Sequence, residues 1–136
     1  MTDISVTAAN VKWVSGTRPR VVKAGATITA GQAVYLNTTT LEHELADADT
    51  DAASEVAGVS LTDGVDGRDM LIAPAGATIA WGATLTAGTI YVLSATAGGV
   101  APEADLATGD YVVVLAVGAG TANARIINAK GAAVHA

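Results

Sequence analysis

The 136-residue chain contains no cysteine and no phenylalanine. Without cysteine there is no disulfide framework and no thiolate-ligated zinc site. That absence fits any redox compartment and selects none. Charged residues make up only 15% of the chain, too few for a disordered polyelectrolyte when 51% is hydrophobic. Aromatic residues are limited to Trp13, Tyr35, Trp81, Tyr91 and Tyr111. None is interleaved with basic side chains, so a stacking platform for single-stranded nucleic acid is not expected. Seven basic against thirteen acidic residues leave a net charge of −6, which argues against wrapping nucleic acid. The length suits one domain with a real core.

Targeting signals are also missing. Met1-Thr2-Asp3-Ile4 has neither a basic n-region nor an apolar h-region, so no signal peptide is expected. The stretch from Met70 to Pro102 carries no charge, and about 20 apolar residues suffice to span a bilayer. It is interrupted by Pro74, Gly76, Gly82, Gly88, Gly98 and Gly99 and is rich in threonine. Such spacing predicts strands and tight turns, with no membrane segment.

What is abundant is small or β-branched: 30 Ala, 17 Thr, 16 Val and 15 Gly. Their order shows an internal repeat. Residues 25–36 read GATITAGQAVYL and residues 82–93 read GATLTAGTIYVL. At an offset of 57, seven of these twelve positions are identical, and Ile28 faces Leu85. Thr29-Ala30-Gly31 and Thr86-Ala87-Gly88 predict tight turns in which glycine takes a positive φ. A β-branched segment follows each turn. Tyr35 and Tyr91 differ by one residue in register, which sends the rings to opposite faces unless a bulge intervenes. Further strands are predicted at Val56–Leu61, Asp69–Ala73, Tyr111–Val117 and Asn123–Ala129, separated by Gly-containing turns at 63–67 and 118–120. Helix is expected only as two turns at Asp51–Ala57 and one at Pro102–Thr108.

The expected fold is therefore all-β: a single compact β-barrel or β-sandwich with an internal two-fold repeat and an extended N-terminal arm. Residues 1–20 form the arm and 21–136 the β-domain, with repeat units at about 21–73 and 78–129. Charge divides along the same lines. Lys12, Arg18, Arg20 and Lys23 lie within the first 23 residues, whereas nine of the thirteen acids lie between Glu42 and Asp69. A solvated surface is one account of this division. The other places the basic arm, with Trp13, on a partner.

Catalytic and cofactor motifs do not emerge, and no enzymatic activity or cofactor is expected. No GxSxG, HExxH or P-loop is present. Glu42-His43-Glu44 reads as an exposed loop in preference to a metal site. Asp47-Ala48-Asp49-Thr50-Asp51 begins like a calcium loop, but Ala52 and Gly58 stand where the turn glycine and the bidentate glutamate belong. A weak calcium site there stays open at this point, beside a plain acidic surface loop. Gly118–Asn123 lacks the following helix and acid of a dinucleotide loop, and Gly67-Arg68-Asp69 reads as a turn. Trp81 is expected in the core or at a subunit contact.

The segments Ala24–Leu36, Val56–Gly64 and Asp69–Ala73, with the second copy at Gly82–Leu93, resemble the small capsid cement, or head decoration, proteins of tailed bacteriophages. The resemblance covers most of the chain after residue 20 and rests on turn-and-strand patterns. It implies a structural virion protein on the outer capsid surface, typically a homotrimer at capsomer junctions, with the major capsid protein as partner. It supplies no catalytic residues. Lys12, Trp13, Arg18, Arg20 and Lys23 are the expected capsid contacts. Other readings are a different virion β-module, such as a head fibre, tail decoration or glycan-binding domain, and a lipoyl- or biotinyl-like carrier. Val22–Gly25 and Ala30–Gln32 resemble the carrier pattern, but residues 37–81 contain no lysine to modify.

Overall fold

The computed structural model describes residues 3–50, 52–103 and 109–134. Among the described residues the chain forms eleven strands. They are β1 (Val11–Gly16), β2 (Arg20–Lys23), β3 (Ala33–Asn37), β4 (Glu42–Leu45), β5 (Val56–Ser60), β6 (Asp69–Ala73), β7 (Ala77–Trp81), β8 (Ile90–Leu93), β9 (Val100–Pro102), β10 (Tyr111–Gly118) and β11 (Asn123–Val134). One sheet has the order β2-β6-β5-β3-β4, and the other β1-β7-β11-β10-β8-β9. Neighbouring strands pair antiparallel throughout. The all-β class is thus realised as two packed sheets.

Replacing β2, β6, β5, β3 and β4 by the strands five places later gives β7, β11, β10, β8 and β9, the order of the second sheet without β1. Both sheets have one topology, and β1 is an added edge. The turns match too. Gln32 N donates to Thr29 O at 3.2 Å and Thr89 N to Thr86 O at 3.2 Å. Gly31 and Gly88 hold φ of +93° and +81°, the backbone region that a Cβ disfavours. Beyond each turn a reciprocal backbone pair locks the next strand. Gly31 N reaches Ser60 O and Ser60 N reaches Gln32 O; Gly88 N reaches Gly118 O and Gly118 N reaches Thr89 O. Ile28 N donates to Gly64 O and Leu85 N to Thr121 O, and both side chains are buried.

Apolar residues at equivalent places fill the core. A small cluster inside the five-stranded sheet holds Val22, Ala24, Ile28, Val34, Met70 and Ile72. Their counterparts Ile79, Trp81, Leu85 and Tyr91 lie in a larger cluster. That cluster also takes Ala33, Val59 and Ala73 from the first sheet, so it joins the two halves. Trp81 is fully buried, and its Nε1 donates to Gly31 O at 2.9 Å, linking one half to the turn of the other. Tyr91 is buried, whereas Tyr35 is half-buried beside a register shift between Val34 and Tyr35. The buried counterpart of Tyr91 is therefore Val34. The charge-free stretch forms β7, β8, β9 and most of β6. No helix among the described residues is long and apolar enough to cross a membrane.

The sheets close differently. In the first, Gly25 N donates to His43 O at 2.7 Å, and Ala24 bridges His43. At the corresponding place in the second, the N-terminal segment intervenes. Ile4 N donates to Val100 O and Thr7 N to Gly82 O, each at 2.7 Å. Ile4, Val6 and Ala8 pack against the larger core, and Val11 is buried in it. Residues 3–16, expected within an extended arm, are thus built into the body. Apolar spacing in Ile4, Val6, Ala8 and Val11 gives this segment something to bury.

Two further expectations are corrected. The helix expected at Asp51–Ala57 is only a 3₁₀ turn at Ala52–Ser54, because Val56 and Ala57 already belong to β5, where Val56 pairs with Tyr35 of β3 and Ala57 is bulged. Asp51 itself, and most of the helix expected at Pro102–Thr108, lie outside the described residues; Pro102 ends β9. Glu42–Leu45, read as a loop, is β4, paired along its length to β3.

Candidate docking edge

The segment 11–23 lines one side of the molecule across both sheets. Val11 faces Trp81, Trp13 faces Ile79 and Gly16 faces Ala77. Thr17 N then donates to Gly76 O at 3.2 Å. Arg20 faces Ile72, Val22 faces Met70 and Lys23 faces Asp69. β1 and β2 therefore run as one ribbon antiparallel to β6 and β7. β1 ends the six-stranded sheet, so among the described residues its outward backbone edge has no strand beside it.

All five residues singled out from sequence lie on this ribbon and are exposed. Lys12 and Trp13 are on β1, Arg18 is in the link, and Arg20 and Lys23 are on β2. Trp13 is 40% exposed, although its place opposite Ile79 puts it on the core-facing side; the sheet simply ends there. Its Nε1 donates to Thr17 O at 3.0 Å, which fixes the indole against the link. The register shift between Trp13 and Ser15 makes Val14 the bulged residue. Sequence reasoning missed Val14 and Val21, which are 44% and 67% exposed. The available signal was apolar residues set among bases, but only tertiary structure tells an edge strand from a central one.

His43 contradicts its sequence reading. It is 7% exposed in β4, with Glu42 and Glu44 on the other face. Burial, followed by the Arg20 guanidinium, holds its imidazole below the ordinary value, against the opposing pull of a hydrogen bond that the ring donates to the Lys23 backbone carbonyl. Its Nδ1 has no hydrogen-bond partner among the described residues. In the neighbouring strand, burial and the Glu44 and Asp47 carboxylates raise the Tyr35 phenol. Asp47 Oδ1 accepts from Asp49 N at 2.9 Å, a local turn. Among the described residues no group of three or more His, Cys, Asp or Glu is placed to hold a metal ion. A cavity of about 260 Å³ lies between the N-terminal segment, the 29–32 turn and the 96–100 turn, and Asp3 is the one ionisable side chain lining it. A single carboxylate without a base beside it does not assemble a nucleophile or an acid–base pair.

The ribbon offers a basic, partly apolar edge suited to contact. Neither a family model nor a curated protein sequence matches the chain.

Proposed function

We propose that the protein is a structural virion component that binds the outer surface of a phage capsid and cements it at capsomer junctions, acting as a homotrimer. The observation that carries this reading is the ribbon from Lys12 to Lys23, which exposes four cations together with Trp13, Val14 and Val21. The likeness of the turn-and-strand segments to head decoration proteins supplies the biological setting. A net charge of −6 suits the outside of a shell better than a DNA-filled lumen. In this mechanism burial of apolar side chains at the edge stabilises each contact. Simultaneous engagement of several capsid subunits by a trimer multiplies weak contacts through effective concentration.

The test uses undecorated capsids incubated with the parent chain and with a Trp13→Ser, Arg18→Glu, Arg20→Glu triple variant. These positions are exposed, so the variant is expected to fold. The expected result is saturable binding by the parent and at least about tenfold weaker binding by the variant. Mass spectrometry and cryo-EM of purified virions provide the second arm; absence of the chain from the head sinks the reading.

A further inference from the structure

We propose that the outward edge of β1 takes an extended acidic segment of the partner protein, added beside it as a seventh strand of the larger sheet. This rests on the docking reading above and names the chemistry of what docks. Among the described residues the edge is free because β1 terminates its sheet, and a free edge offers unpaired N–H and C=O groups to an incoming strand. Six residues of strand span about 20 Å, enough to align a short peptide.

The charge pattern selects the occupant. Between residues 4 and 41 the chain has no acid, and its cations there are Lys12, Arg18, Arg20 and Lys23. The rest of the chain holds three cations and all thirteen acids. The basic ribbon thus favours a negative strand on an otherwise acidic chain. A second copy on the same edge is disfavoured, because it would set one net-positive ribbon, with Lys12 on β1 and Arg18, Arg20 and Lys23 beyond it, beside another. The bulge at Val14 further discourages indiscriminate pairing. Trp13, held by its bond to Thr17 O, and Val14 give the incoming strand apolar contacts beyond backbone pairing.

The probe is a synthetic eight-residue peptide alternating Glu with Val or Thr, titrated into the intact chain. Trp13 is exposed and Trp81 buried, so a change in indole emission reports the edge; amide exchange of β1 is followed in parallel. Binding should protect β1 amides. It should weaken at least about tenfold with the Lys12→Glu, Arg18→Glu variant, and it should fail with a peptide N-methylated at every residue, which has no amide hydrogen to donate from either edge. Equal binding of the N-methylated peptide, of a Lys/Val peptide or of single-stranded DNA overturns the proposal, as does no binding at all. The capsid experiment is independent. Capsid binding without peptide binding sinks this proposal alone, and peptide binding without capsid binding sinks the cement reading alone.

Discussion

His43 has two neighbours that oppose its protonation, a buried setting and Arg20. Its folded value lies below the ordinary 6.5, so the unfolded chain binds the proton more readily. The contribution of His43 to stability is therefore fully present above pH 6.5 and is lost as pH falls from 6.5 toward the folded value. Melting temperature is expected to drop between pH 7.5 and 5.5, and to drop less in a His43→Leu variant; equal drops would exclude His43 as the source. Two glycines allow a second comparison at this scale. Gly31 and Gly88 occupy the same turn position with positive φ. A Cβ at Gly88 meets nothing within 4 Å, whereas one at Gly31 lies 2.5 Å from Val6 Cγ1. Gly88→Ala should cost about 1 kcal/mol from backbone conformation. Gly31→Ala should cost distinctly more, because it also displaces the N-terminal segment. Paired urea titrations measure the difference.

Among the elements, the N-terminal segment has the largest consequence. Ile4 and Val6 are half-buried against the core, and two backbone bonds join the segment to Val100 and Gly82. Deleting residues 1–10 is expected to destabilise the fold by about 2 kcal/mol or more from lost apolar burial. Unchanged thermal unfolding would mean that the segment is dispensable. The strands after each Thr-Ala-Gly turn were legible in the sequence, because β-branched runs between glycines leave few alternatives. β4 was not: Glu-His-Glu-Leu has the composition of a loop, and its pairing with Ala33–Asn37 comes from closure of the hairpin. β1 was hidden for a related reason. An edge strand needs only one apolar face at its start, here Val11, and its partner lies about seventy residues away in β7. The five expected contact residues were chosen from a cluster of four bases and one tryptophan in the first 23 residues; their common alignment depends on that long-range pairing.

At the scale of the whole molecule, the larger core draws on both sheets, and Trp81 Nε1 reaches Gly31 O across them. The halves should therefore melt together, with calorimetric and van't Hoff enthalpies equal. Trp81→Phe should lower stability by about 1–3 kcal/mol, since it leaves a buried carbonyl unpaired. Two separate transitions would refute this coupling. The seating of residues 4–7 between Gly82 and Val100 also has a consequence for synthesis. Residues 4–7 find their docking place only after Gly82 and Val100 have been made. The half containing β2–β6 can close on itself earlier, through Gly25 and His43, while residues 4–7 wait. A segment made before that half is thus seated after it, and each finished molecule carries its own late-fitting clasp.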